Sequence, residues 1–345
     1  MRITSRDNLK AWLDALVECY TVIAPQLVED ALLYRPITSS SEVVFDFQRT
    51  AMSPKTYFLP ATEMLFEIEK RSSEVTLTET ALEKEQVLFA VRPCDARGLK
   101  VLDALLLEHE PADAYYAERR EKTTLIGLAC REMWPGCFCT SPSYLRTGLG
   151  GAPDEAGDVD VMLTEVEDGY LVQVITEKGE RVVKGLALGE ASQRPPRPRL
   201  SPETVPVPPQ EVWRQRFDDE YWARLADRCI SCRVCTYVCP TCRCFDVRDY
   251  VTQSGVGGSV IKRLRAWDSC LSEGYRRIAG GHNPRPTKAQ RLRNRFYCKF
   301  HYCPQDFGPI ACVGCGRCIV ACPVGVDIVE MLGDVTTLAA TVTEA

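Results

Sequence analysis

The chain of 345 residues has no long hydrophobic run. No apolar stretch approaches the ~18 residues that would suggest a membrane helix, and no basic segment followed by an apolar run and a cleavage site opens the sequence. Those absences make a soluble, cytoplasmic protein the expectation. Histidine is scarce too: His109, His282 and His301 are too few for an imidazole-rich metal site. The Gly-rich pieces Gly148-Leu149-Gly150-Gly151 and Gly255-Val256-Gly257-Gly258 fail the G-x-G-x-x-G pattern, and neither leads from a clear strand into a helix. No dinucleotide fingerprint is visible, nor a Ser/His/Asp constellation or a metalloprotease motif. A net charge of -5 gives no global pull toward nucleic acid or membrane surfaces.

What is abundant is cysteine, with 18 residues. Disulfide frameworks of that density belong to small secreted domains with signal peptides, so metal ligation is the better account. Two runs carry the point. Cys229-Ile-Ser-Cys232-Arg-Val-Cys235-Thr-Tyr-Val-Cys239-Pro240 and Cys312-Val-Gly-Cys315-Gly-Arg-Cys318-Ile-Val-Ala-Cys322-Pro323 both have the C-x2-C-x2-C-x3-C-P spacing of bacterial ferredoxins. In such pairs the fourth Cys of each run ligates the other cluster. Cluster one is therefore expected on Cys229, Cys232, Cys235 and Cys322, and cluster two on Cys312, Cys315, Cys318 and Cys239. Tetrathiolate zinc is the alternative for any CxxC pair, but zinc ribbons use two separated pairs and not two complete runs.

Ahead of these runs the sequence reads as a mixed α/β domain, residues 1–190. Residues 5–20 place Leu9, Trp12, Leu13, Leu16, Val17 and Tyr20 at helical spacing, with Ser5 as a cap and Cys19 as a core thiol. Val43–Phe47 and Lys55–Leu59 read as short strands. Gln86–Val91, Ala96–Glu108 and Thr123–Ala129 read as strand, helix, strand, a βαβ unit whose strand ends share one sheet edge. Cys94 follows the first strand and Cys130 the second. Cys137-Phe-Cys139 lies on a loop with Pro135 and Gly136 that can fold back. Four thiols can thus converge, the number a third cube needs. The alternative is four scattered packing thiols; a Cys137–Cys139 disulfide is disfavoured by bridge geometry. Asp95 is a candidate helix cap, with iron ligation as the second reading. Residues 158–184 read as a β-meander with turns at Glu167-Asp168-Gly169 and Lys178-Gly179.

A Pro-rich linker, residues 191–212, with Pro195, Pro196, Pro198, Pro202, Pro206, Pro208 and Pro209, separates this domain from a ferredoxin-like dicluster domain, 213–345. Between Cys239 and Cys312 that domain carries an insert, 240–311, far longer than two ferredoxin half-sites require. Over 261–300 the insert holds 11 Lys or Arg against two acidic residues. With no nucleic-acid motif alongside, docking of an acidic partner or compensation of thiolate charge is the expectation, and nucleic acid is a remote third. Cys242, Cys244, Cys270, Cys298 and Cys303 also lie there. They either pack around the clusters or, for Cys242, Cys244 and Cys270, contribute to a further metal site.

The pieces Val91-Arg-Pro-Cys94-Asp95, Cys137-Phe-Cys139, Cys239-Pro-Thr-Cys242-Arg-Cys244, Trp267-Asp-Ser-Cys270, Gly280-Gly-His-Asn283-Pro-Arg-Pro-Thr287 and the second ferredoxin run resemble, in this order, the beta subunit of cytosolic NAD(P)-linked nickel–iron hydrogenases, the sulfhydrogenases. They are also similar to the dicluster iron–sulfur subunit of anaerobic sulfite reductase, with which the chain shares an end soon after the last cluster run. The resemblance implies an electron-transfer subunit without catalytic residues of its own. It would relay electrons between a partner carrying FAD and NAD(P) and the other iron–sulfur or catalytic subunits of a complex, a hydrogenase first. Anaerobic sulfite reductase and heterodisulfide-reductase input modules are the alternatives within that class. A stand-alone reductase and a nucleic-acid-binding iron–sulfur protein are the alternatives outside it.

Overall fold

A computed structural model describes residues 2–147, 151, 157–191, 198, 200, 204–255 and 258–343. Much of the Pro-rich linker, including Pro195, Pro196 and Pro202, lies outside the described residues, as do Gly148, Leu149, Gly150, Val256 and Gly257. Among the described residues no helix is long and apolar enough to cross a membrane.

The N-terminal part is built on an eight-stranded sheet. Its strands are β1 (Arg2–Thr4), β2 (Thr21–Val28), β3 (Ala31–Pro36), β6 (Gln86–Val91), β7 (Thr123–Leu128), β8 (Val161–Val166), β9 (Gly169–Val174) and β10 (Gly189–Glu190), in the order β10-β1-β9-β8-β7-β6-β2-β3. The hairpin of β4 (Thr62–Arg71) and β5 (Glu74–Glu79) stands apart from it. The central strands β2, β6, β7 and β8 run parallel. Every residue of β7 is buried and five of six in β6, as expected of parallel strands covered on both faces.

Alternation along those strands sends side chains to two layers. Val87, Phe89, Ile126 and Leu128 pack under α1 (Arg6–Cys19), where Leu9, Trp12, Leu13 and Leu16 form the buried stripe. Leu88 and Leu125 pack under α2 (Pro93–Leu106) and α3 (Ala114–Glu121). The Ser5 side chain accepts from the Asn8 amide and caps α1, while Cys19, placed in the core by its apolar neighbours, is exposed at the end of the helix. Helix α2 starts earlier than its apolar pattern, because Pro93 fits the first helical turn where no amide is needed.

Several strand readings are corrected. Val43–Phe47 is not a strand: Val43 and Phe47 are buried in the α1 layer, and the Val44 amide donates to the Pro25 carbonyl without forming a ladder. Lys55–Leu59 begins as a 3-10 turn, Pro54–Tyr57, opened by Pro54. Residues 158–184 form one hairpin, β8–β9, after which the chain enters helix α5 (Glu177–Val182) at Lys178-Gly179, where the sequence reads as a turn. Gly179 is needed there by close approach, since a Cβ would meet the Val161 side chain at 2.9 Å. α4 (Pro142–Leu145) lies earlier, in the loop that follows Cys139.

The C-terminal part contains α6 (Gln210–Gln215), α7 (Tyr221–Arg228), α8 (Val234–Tyr237), α9 (Lys288–Tyr297), α10 (Cys303–Phe307), α11 (Arg317–Val320) and α12 (Ile328–Thr343) around an aromatic core. Trp213 stacks on Phe300 at 5.6 Å, and Trp222 on Phe296 at 6.1 Å. The insert leaves this core as a long hairpin, β11 (Phe245–Gly255) and β12 (Gly258–Trp267), and β12 pairs antiparallel with β4. Hairpins from two distant parts of the chain therefore share the four-stranded sheet β11-β12-β4-β5. Arg265 of β12 seals the junction, with its guanidinium on the buried Glu63 carboxylate at 2.6 Å and on Asp113.

A second junction lies at the start of α2. Asp95 does not cap the helix, whose N-cap is Arg92; its carboxylate takes both Nη atoms of Arg317 at 2.6 and 2.7 Å, with the side chains 0% and 2% exposed. Arg317→Met leaves a buried carboxylate without its partner, and a loss of about 3–5 kcal/mol is expected. Anaerobic denaturant unfolding measures it, with the Asp95→Asn/Arg317→Met pair recovering part of the loss.

Candidate metal centres

The two ferredoxin runs fold alike. Ser231 and Arg233 in the first, and Gly314 and Gly316 in the second, occupy equivalent positions and all have left-handed φ, 58°, 67°, 66° and 71°. Each run then enters one short helix, α8 or α11. Backbone amides beside left-handed residues point at sulfur: the Ser231 amide lies 3.4 Å from Cys229 Sγ, and after Gly325, φ 65°, the Val326 amide lies 3.2 Å from Cys322 Sγ. The first run accepts Ser and Arg at a cost of order 1–2 kcal/mol per residue. The second requires glycine for space as well, since a Cβ on Gly314 would meet the Cys139 amide nitrogen at 2.6 Å.

Cys229, Cys232, Cys235 and Cys322 line one small cavity of about 20 Å³, closed by Leu271, Leu292, Val326 and the Arg295 side chain. Three of these thiols come from the first run and the fourth from the second. Cys239, Cys312, Cys315 and Cys318 gather on the inner side. The first three are buried, and burial pushes the Cys318 thiol up to about 12, with the sulfurs of Cys239, Cys312 and Cys315 adding to the shift and Arg295 opposing it. The buried Tyr144 hydroxyl has no oxygen or nitrogen partner and faces the Cys312 sulfur.

Cations absent from the motif reading complete this inner group. Lys299 Nζ lies 3.2 Å from Cys239 Sγ and also donates to Thr241 Oγ1 and the Ala311 carbonyl. Burial opposes its charge, yet the sulfurs of Cys239, Cys242 and Cys312 outweigh burial and hold it protonated. Cys239 is shifted the other way, downward, by hydrogen bonding from Cys242 and by Lys299 and Lys55 against its burial. Lys55, from the 3-10 turn whose residues read as a strand, is buried over the Trp267 ring at 4.2 Å and donates to the Cys242 carbonyl at 2.9 Å. Lys299 and Arg295 belong to the basic segment of the insert, whose charge count is the one available signal; nothing in the sequence points to Lys55.

Cys94, Cys130, Cys137 and Cys139 all line one cavity of about 110 Å³ at the carboxyl ends of β6 and β7. Arg92 fixes the edge by donating to the Leu128 and Ala129 carbonyls at 3.1 and 2.8 Å, with Phe47 beneath its guanidinium. The Cys137–Cys139 loop lies directly on the second ferredoxin run: the Phe138 amide donates to the Gly314 carbonyl at 2.8 Å, and Cys137 Sγ sits 3.4 Å from the Cys315 carbonyl. Among the described residues no three His, Cys, Asp or Glu converge to hold a single ion. The thiols that share these cavities come in fours, the number of corners a [4Fe–4S] cube offers.

Residues 228–326 match the family model of a 4Fe-4S dicluster domain. The chain is 31% identical over 340 residues to sulfhydrogenase 2 subunit beta of Pyrococcus furiosus, covering 94% of this chain and 95% of that protein. The chain belongs to the sulfhydrogenase beta subunit family. No solved structure matches it. Family membership and the dicluster domain make it an iron–sulfur electron-transfer protein, and the fit of the thiol groups agrees: four sulfurs per group, buried cations beside them, and a hydroxyl with no other partner.

Burial pushes Cys137 up to about 11 and Cys139 up to about 12, so below those values both are thiols and not the reactive thiolates. In the metal-free chain at pH 8, iodoacetamide is expected to label exposed Cys19 before either, and labelling of Cys137 should accelerate as pH rises toward 11. Mass-spectrometric mapping of the labelled peptides checks the order.

Proposed function

We propose that this chain relays single electrons between a flavoprotein subunit that exchanges hydride with NAD(P)H and the remaining subunits of a cytoplasmic oxidoreductase complex of hydrogenase type. The observation that carries the reading is the shared cavity of Cys229, Cys232, Cys235 and Cys322, which joins thiols of both runs in the crossed pattern of a two-cluster ferredoxin. In this assignment Cys239, Cys312, Cys315 and Cys318 hold the second cluster, and Cys94, Cys130, Cys137 and Cys139 the third. Each [4Fe–4S] cluster, when bound, takes up one electron at a time, which suits a relay between two-electron chemistries on neighbouring subunits.

The protein's own work is spacing and electrostatics. The Asp95–Arg317 pair and the Phe138–Gly314 hydrogen bond hold the third quartet against the second, and the crossed ligands hold the second against the first. The order of the relay is therefore Cys94 group, Cys312 group, Cys229 group. Cys232 and the neighbouring Ile230, 60% exposed, bring the last group to the surface.

Three cubes correspond to about 12 iron atoms per chain. Replacing Cys137 and Cys139 by Ser should lower this by about four and leave the ferredoxin-type signals intact; unchanged iron would remove the third site. Anaerobic co-purification with a flavoprotein and a nickel–iron subunit tests the complex, and a sirohaem protein or a disulfide reductase in their place would reassign it.

Lys299 stabilises negative charge on Cys239, and the reduced cluster is the more negative state. Lys299→Met should therefore move the second cluster's potential downward by on the order of 60 mV, the equivalent of losing about 1.4 kcal/mol of charged hydrogen bonding. A redox titration followed by EPR reads the shift, with the first cluster as the internal reference.

A further inference from the structure

The cations of the basic insert fall into two sets. The first is buried against sulfur. α9 continues into a π-helix, Cys298–Tyr302, and along this rod Arg295 lines the cavity of Cys229 and Cys235 while Lys299 sits 3.2 Å from Cys239 Sγ. The second set precedes it. Residues 271–291 hold five Lys or Arg, Arg276, Arg277, Arg285, Lys288 and Arg291, against Glu273 alone. Arg276 and Arg277 are exposed; Arg277 reaches Glu273 at 3.9 Å, a solvated pair worth little, and Arg276 lies over the Tyr275 ring at 4.9 Å. Exposed charge is screened by water and adds little to the stabilisation of buried thiolates. A net charge of -5 already provides for solubility, so this second set answers to something outside the chain.

The segment stands on the rim of the first-cluster cavity. Leu271 ahead of it and Leu292 behind it both line that cavity, with Cys229, Cys232, Cys235 and Cys322. The step from Leu271 to Glu273 spans at most about 7 Å, and the helical rise from Lys288 to Leu292 is about 6 Å. Arg233, next to Cys232, ties the near limb down by donating to Ser272 Oγ at 3.2 Å. The loop holds one shape. The Asn283 side chain donates to the Glu273 carbonyl at 2.7 Å, the Ile278 amide to the His282 carbonyl at 2.9 Å, and Arg291 to the Pro286 carbonyl at 2.7 Å. Gly280 and Gly281, φ 88° and 84°, turn its tip. That shape keeps Ile278 58% exposed beside the two arginines, as Ile230 is 60% exposed near Cys232.

We propose that this rim, Ile230 and Cys232 together with Arg276, Arg277 and Ile278, is the docking site of an acidic one-electron carrier protein. The proposal rests on the relay reading and adds to it the surface of exchange and the charge of the partner. Charge complementarity decides the occupant: exposed cations around the most accessible thiol group steer an anionic protein toward it, and the isoleucines supply apolar contact on arrival. The carrier gains the one electron that the first cluster gives up, and no bond forms or breaks. A small apolar centre with a charged surround suits a transient contact that releases its partner after each electron.

The test uses the anaerobically purified full chain and two probes, flavodoxin, which is acidic, and cytochrome c, which is basic. Surface plasmon resonance reads association, and stopped-flow absorbance reads electron transfer from the dithionite-reduced chain. Flavodoxin association is expected to slow as salt rises from about 0.01 to 0.15 M and the screening length falls from about 30 to 8 Å. In Arg276→Glu/Arg277→Glu it should drop roughly tenfold at low salt, with iron content unchanged and cytochrome c not slowed. Ile278→Ser should weaken flavodoxin binding and keep its salt dependence. Wild-type chain that does not bind flavodoxin at low salt overturns the proposal, and that reading does not need any variant to fold. So does flavodoxin association that the charge variant leaves unchanged, or an equal loss with both probes. Retention of the wild-type chain on duplex DNA, abolished by the charge variant while flavodoxin association is unmoved, overturns it in favour of nucleic acid. Failure of the relay reading is distinguishable: flavodoxin would then bind in the same salt-sensitive way and receive no electron.

Discussion

Asp95 and Arg317 are separated by 222 positions in sequence and meet in a fully buried bidentate pair. The flanking residues make the pair decisive: Cys94 precedes Asp95, and Arg317 lies between Cys315 and Cys318. Arg317 also donates to the Thr50 carbonyl and hydroxyl, so the loop after Phe47, the first turn of α2 and the second ferredoxin run are fixed by one guanidinium. Net stability is the lesser consequence, because desolvation of both charges offsets much of their attraction. The greater one is register. A carboxylate with two oxygens and a fork with two nitrogens have a single good alignment, and in that alignment the N-terminal thiols lie against the ferredoxin run.

The same electrostatic demand explains the rest of the interior. Thiolate groups taken out of water need nearby positive charge, and a two-run ferredoxin core has little room to provide it. Lys55 arrives from the N-terminal part, Lys299 and Arg295 from the insert, and Arg317 from the run itself; all four are buried. The junctions between the parts of the chain are therefore also where the compensating charges enter. Arg265 repeats the principle at the shared four-stranded sheet, where Glu63 and Asp113 receive it.

Legibility from sequence follows the range of each interaction. The ferredoxin runs are visible because four thiols and a proline at fixed short spacing state their geometry locally. The cavity of Cys94, Cys130, Cys137 and Cys139 is legible at one remove, since a strand, a helix and a strand bring their carboxyl ends to one edge. The role of Asp95 is not legible, because its partner lies in another run and no local pattern encodes it. Val43–Phe47 has strand-like residues but no neighbouring edge to pair with, and its apolar groups are satisfied by α1 instead. Cys19 lies one position beyond the buried stripe, where helical spacing alone cannot separate core from surface. The π turn at Cys298 is equally hidden, because π and α turns differ by where one amide bonds.

The two ferredoxin runs, alike in backbone, end in different surroundings, and a few residues decide it. Where the first run has Ser231 and Arg233, the second has Gly314 and Gly316, and the space those glycines leave is filled by the backbone of Gly136–Cys139. The first half of the second run, Cys312–Arg317, is thereby buried under the Cys137–Cys139 loop, while the matching part of the first keeps Ile230 and Cys232 at the surface. A symmetric pair of sites would give electrons no preferred side on which to leave the chain. Two glycines make the pair asymmetric, with one end packed against further thiols and the other at the surface, and that asymmetry gives electrons one exposed side on which to leave the chain.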